Sequence, residues 1–116
     1  LWGFGSGAAG AWYMRSGNLY EVGTAVLDPA LTVTCWNGAS SSLAVNGTTI
    51  GTGNAGVVAL TGLSLGGSLN VSTSATGSFL NGHIALALLF TTDPTALPEW
   101  AAFKAWVTST YGITVA

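Results

Sequence analysis

The sequence has 116 residues, 49% of them hydrophobic and only 5% charged, with a net charge of −2. That length suits one domain with a core that needs no metal or disulfide staple, and so apolar a chain is not disordered. Two basic residues are too few for a nucleic-acid partner, which requires several to displace counterions.

Gly, Ser, Thr and Asn punctuate short β-branched and aromatic runs, the pattern of an antiparallel all-β fold. The first predicted hairpin joins 12–15 to 19–22 through Ser16, Gly17 and Asn18. A three-residue turn pairs Arg15 with Leu19, Met14 with Tyr20 and Tyr13 with Glu21. It sets Trp12, Met14, Tyr20 and Val22 on one face and Tyr13, Arg15, Leu19 and Glu21 on the other.

In the second hairpin, Leu31, Val33 and Cys35 alternate with Thr32, Thr34 and Trp36. Pairing Cys35 with Leu43 and Val33 with Val45 keeps the apolar residues inside and leaves Trp36 beside Ser42 on the outer face. Asn46-Gly47 then marks a tight turn into 48–51, so three strands form a meander. Short strands are expected at 57–61 and 63–66. The stretch 66–78 reads as a loop with room for a strand at 69–72.

Residues 84–90 are apolar at nearly every position and predict a strand buried on both faces. A helix follows, with Pro98 in its first turn and Glu99 at its positive end. Trp100, Phe103, Val107 and Tyr111 form its apolar stripe, and Gly112 is its stop. Residues 113–115 can return as a last strand.

The charged residues are Arg15, Glu21, Asp28, Asp93, Glu99 and Lys104, beside a lone His83. A surface this poor in charge lacks the usual solubility device. It is covered by neighbouring subunits in an assembly, or belongs to a compact extracellular domain. No apolar run approaches the ~20 residues of a membrane-spanning helix. The chain starts at Leu1 without a visible signal peptide, as a processed or partial sequence would. One cysteine, Cys35, excludes an internal disulfide.

Several segments resemble concanavalin A-like lectin/glucanase domains, the laminin-G-like jelly rolls. Leu43-Ala44-Val45-Asn46-Gly47 is similar to that family's LYVNG hairpin, and Leu63-Ser64-Leu65-Gly66 to its L-x-I-G strand. Phe79, Gly82, Ile84 and Ala85 match its F-x-G-x-I-A-E strand, with Leu89-Phe90 in place of its apolar–Tyr pair. The helix ending in Tyr111-Gly112-Ile113 completes the match. Ala44 replaces a frequent Tyr, Leu86 a frequent Glu, and residues 1–30 match less well. The resemblance implies an antiparallel β-sandwich, a lectin-like jelly roll with one short C-terminal helix. The chain would then be a single domain over 1–116, forming the C-terminal part of a longer protein or completed by strands of a neighbour. With Leu at position 86, residues 84, 86, 88 and 90 make one apolar face that the helix or another chain must cover.

Glucanases of that family use paired acids on one strand. No two carboxylates here are close in sequence, and glycoside hydrolysis needs a flanking pair. The expectation is a protein that is not an enzyme. His83 reads as a strand-edge residue rather than a triad member. Many family members hold calcium through Asp, Asn and carbonyl oxygens. Asp28 and Asp93 are the available acids, but both precede proline, first of all a turn signal.

The candidate ligand-binding set is Tyr13, Arg15, Glu21 and Trp36. Aromatic rings stack on sugars and charges bind hydroxyls, so the set can bind a glycan. The same composition marks a subunit interface or an exposed edge with one weak ion pair. Trp2, Trp12, Trp100 and Trp106 read as packing residues. Asn46-Gly47-Thr48 and Asn70-Val71-Ser72 fit the glycosylation pattern. The function expected is a structural or attachment module of a virion, such as a bacteriophage fibre, tail or capsid-decoration protein. The alternative is a carbohydrate-binding module of a secreted bacterial protein. Either location is extracellular or on a virion surface.

Overall fold

The structure, a computed structural model, describes residues 2–6, 11–16, 18–24, 29–57, 68–70, 75–77 and 83–116, with side chains placed in 29–57 and 83–116. Strands β1 (Trp2–Ser6), β2 (Ala11–Ser16) and β3 (Asn18–Thr24) form one antiparallel ladder in that order. In β2–β3 Arg15 faces Leu19, Met14 faces Tyr20 and Tyr13 faces Glu21. This is the register expected from a short turn and period-2 patterning. Strand β1 adds to the far edge of β2, pairing Phe4 with Met14.

Strands β4 (Thr32–Cys35), β5 (Ser41–Val45) and β6 (Thr48–Gly53) make the second antiparallel sheet, the expected meander. Its register is one residue away from the expected one. Thr34 faces Leu43 and Cys35 faces Ser42. The turn decides this. Residues Gly38–Ser40 form a 3-10 turn, closed by Ser40 N–H donating to the Asn37 carbonyl at 2.9 Å. The fully buried Ser41 hydroxyl accepts from Asn37 N–H at 3.0 Å and donates to the Gly38 carbonyl at 2.8 Å. A buried hydroxyl satisfied twice over outweighs the preference for Val33 and Cys35 inside, because losing those bonds costs about 1–3 kcal/mol.

The one-residue slip exchanges the faces of β4. Trp36 now packs against the core of Leu43 and Ala55, both fully buried. Its expected place on the outer face beside Ser42 is therefore corrected. Between β5 and β6, Ala44 faces Thr49 and Leu43 faces Gly51. Ile50 is the extra residue of that bulge, and it joins the same core.

The Asn46-Gly47 turn forms as expected, with φ of +51° and +83°, the left-handed pair required by a tight two-residue hairpin. Asn46 also gathers two other segments. Its Oδ1 accepts from Leu31 N–H at 2.9 Å, its N–H donates to the Leu31 carbonyl at 2.8 Å, and its carbonyl accepts from Ala116 N–H at 2.9 Å. The last residues thus run to the hairpin tip, although 113–115 form no ladder.

Strands β7 (Ser68–Asn70) and β8 (Ala75–Gly77) form a separate hairpin where a loop with one strand was expected. Helix α1 (Trp100–Tyr111) starts two residues after Pro98, with Glu99 as its N-cap residue and Pro98 in the lead-in turn. It ends at Gly112, φ +69°, whose N–H donates to the Thr108 carbonyl at 3.0 Å. This is the expected C-terminal stop. Val107 is buried, Trp100 and Phe103 are half-buried, and Tyr111 at the stripe's end is exposed. The Lys104 ammonium donates to the Ala116 carbonyl at 2.7 Å, so the helix is tied to the hairpin through the chain's last residue.

The β-sandwich expectation does not hold. Among the described residues, the part with placed side chains is one three-stranded sheet and one helix, with a core of only a few residues. The decisive segment is 84–90. It joins no strand, and Ile84, Leu86, Leu88, Leu89 and Phe90 are 43–63% exposed. An all-apolar run is buried on both faces only when strands flank it and layers cover it, and the described residues supply neither. The strand expected at 63–66, and all but Val57 of that at 57–61, lie outside the described residues. Val57 itself is in no strand. No helix among the described residues is long and apolar enough to cross a membrane.

Candidate functional site

Of the expected ligand set, only the Trp36 side chain is among the described residues. Tyr13, Arg15 and Glu21 lie on the β2–β3 ladder, where the register keeps Tyr13 opposite Glu21 and Arg15 two positions along the same strand. Their side chains lie outside the described residues. Trp36 follows strand β4 of the other sheet and is partly buried against the Leu43 core. Asp28 also lies outside the described residues.

Asp93 is a turn residue, as its Asp-Pro context suggests. It caps the 3-10 turn Pro94–Ala96, and its Oδ1 accepts from Thr95 N–H at 2.9 Å and Thr95 Oγ1 at 2.7 Å. The Thr95 hydroxyl and N–H hold its carboxyl below the usual range, since hydrogen bonds to the charged form favour it. The same carboxylate acts on Cys35. Burial first, then the negative charge of Asp93, pushes the Cys35 thiol above its ordinary value of 9.0, while a hydrogen bond with Ser42 opposes the rise. A thiol shifted upward is protonated at neutral pH and is a poor nucleophile. Asp93 and Ser42 thus both lie within reach of the Cys35 thiol. Among the described residues no three His, Cys, Asp or Glu side chains converge on a point where a metal would sit. His83 is exposed in an irregular segment, not at a strand edge.

The surface feature that sequence reasoning placed in the interior is apolar. Phe90, Pro94, Leu97, Glu99, Trp100 and Phe103 line an open cleft of about 150 Å³. Ligand pockets usually start at roughly 300 Å³, so this one admits a single side chain rather than a cofactor. Its aromatic wall continues along the helix. Trp100 and Phe103 ring centres are 5.5 Å apart, Phe103 and Trp106 5.8 Å, and Trp106 meets Tyr111 edge-on at 5.5 Å. These separations are those of favourable aromatic pairs. Trp106 is 44% and Tyr111 37% exposed. With 84–90 they form an apolar surface, and among the described residues Glu99 is the one charged member of the cleft lining. The hydrophobicity of 84–90 was legible in the sequence; its exposure was not.

No protein-family model, no characterised protein and no solved structure matches the chain.

Proposed function

We propose that this chain is a non-catalytic structural module that works by assembling with other protein chains, as a fibre, tail or decoration component on a virion surface. The observation that carries this reading is the exposed apolar run 84–90, continuous with the aromatic cleft at Phe90. Large contiguous apolar surface marks an interaction site. The composition supports the same reading. Charged residues make up 5% of the chain, against about 25% in ordinary soluble domains, and depletion of charge is a feature of interface cores. Aromatic residues, enriched at interfaces, line the helix side of the patch.

Trp36 is partly buried against the Leu43 core, which leaves less of its ring for a glycan, so the carbohydrate-binding alternative has the weaker support. The test is light scattering on the purified chain, paired with a glycan array. Assembly without glycan binding is expected. A stable monomer that binds glycans would overturn the proposal.

A further inference from the structure

We propose that two copies of the chain associate by antiparallel pairing of residues 84–90 about a two-fold axis at Ala87, with Ile84 of each copy entering the other's aromatic cleft. This rests on the proposed function and names its partner, a second copy of the same chain.

The run is self-complementary. In an antiparallel pair centred on Ala87, Leu86 faces Leu88 and Ile84 faces Phe90, while Ala85 faces Leu89. All the large residues at even positions then lie on one face, and the small ones, with Leu89, on the other. A two-fold interface requires this relation, in which residue i meets j and j meets i. Shifting the register by one residue, which puts the axis between 86 and 87, sets Leu86 against Ala87 and mixes the faces.

Among the described residues no hydrogen bond reaches the backbone of 84–90. Pairing over seven residues provides about six to eight such bonds. Unpaired backbone beside apolar side chains is the template for strand addition.

The area suits a weak, reversible association. The four large side chains on the even face are 43–55% exposed. At roughly 200 Å² for each large residue, they and the exposed parts of Trp106 and Tyr111 offer roughly 550 Å² per copy. A standard stable interface uses about 800 Å² per partner, and transient pairs use less.

The cleft accounts for the end of the run. Phe90 forms part of its lining, so the residue facing Phe90 across the axis stands at its mouth. That residue is Ile84 of the second copy. A cavity of about 150 Å³ is of the size that takes up a benzene ring, and one aliphatic side chain fits.

The experiment is site-directed cross-linking of the full chain. Ala87→Cys should oxidise to a disulfide-linked dimer, because residue 87 faces itself at a Cα separation of about 4.5–5.5 Å, within disulfide range. The wild type, whose single thiol is the half-buried Cys35, and Ala85→Cys, whose mate is residue 89, should not cross-link. A second measurement needs no cysteine. Leu86→Lys and Leu88→Glu should each weaken association by about tenfold or more. An equimolar mixture of the two should recover it, because the ammonium introduced at position 86 of one copy then meets the carboxylate introduced at position 88 of the other. Circular dichroism on each variant establishes that it is folded. Equal cross-linking at 85 and 87, or a mixture no stronger than its components, overturns the pairing. Assembly without a link at 87 also overturns it while leaving the proposed function standing. A glycan-binding monomer overturns both.

Discussion

Replacing Gly47 by alanine tests how the helix and the sheet are joined. Two costs add at this position. The residue sits at φ +83°, a left-handed conformation that costs an L-residue about 1–2 kcal/mol. A Cβ there would also lie 2.7 Å from the Ala116 nitrogen and 3.1 Å from its carbonyl carbon. Because these are backbone atoms, the last residue must move away. Moving it breaks the bond from Ala116 N–H to the Asn46 carbonyl and the Lys104 bond to the Ala116 carbonyl, worth about 0.5–1.5 kcal/mol each. The expected total is about 3 kcal/mol. Gly112→Ala is the internal control. Its φ is +69° with nothing within 4 Å of the added Cβ, so only the conformational cost of about 1–2 kcal/mol applies. Urea unfolding of both variants, with and without residue 116, completes the cycle. Removing Ala116 should bring the cost of Gly47→Ala down to that of Gly112→Ala. Equal costs in the intact chain would refute the attachment of Ala116 at the hairpin tip.

Three further outcomes are expected. Leu43→Ala, at a fully buried position, should cost about 2–5 kcal/mol in denaturant unfolding; a loss under about 1 kcal/mol would remove Leu43 from the core. Trp36→Ala should also destabilise the fold, by about 3 kcal/mol, since the ring packs on Leu43 and Ala55; unchanged stability with lost glycan binding would restore its outer-face role. Asp93→Asn should lower the titration of the Cys35 thiol, seen as faster alkylation at a given pH, because the Asp93 charge is the second cause of its upward shift after burial. The sign for stability follows. The thiol's pKa is raised on folding, so its contribution is complete below 9.0 and is lost as pH rises through the folded value. The wild type should therefore lose more stability than Cys35→Ser across that interval, and identical alkaline profiles would contradict the shift.

Features set by local chemistry were legible in the sequence. Asn46-Gly47 permits the left-handed turn, Gly112 permits the helix stop, and the Tyr13–Glu21 register follows from a short turn. The register of the second hairpin was not legible from hydrophobic alternation. It depends on the Ser41 hydroxyl, whose two bonds to Asn37 and Gly38 fix the turn, and polar satisfaction of this kind is invisible to a pattern of apolar positions. The 84–90 run shows the same limit at larger scale. Its composition demands burial, but composition does not say whether strands of the same chain or another copy supply it. The cleft under Phe90 was missed for a related reason: Phe90 and Trp100 were assigned to separate elements, and only their meeting makes a socket.

The central claim is that this apolar surface exists to be covered by another chain. Sedimentation velocity of the wild-type protein over a wide concentration range tests it most directly. The account predicts a concentration-dependent shift from monomer to an associated species, abolished by Leu88→Glu in a chain that remains folded. A single monomeric boundary at every concentration, unchanged by that substitution, would contradict it.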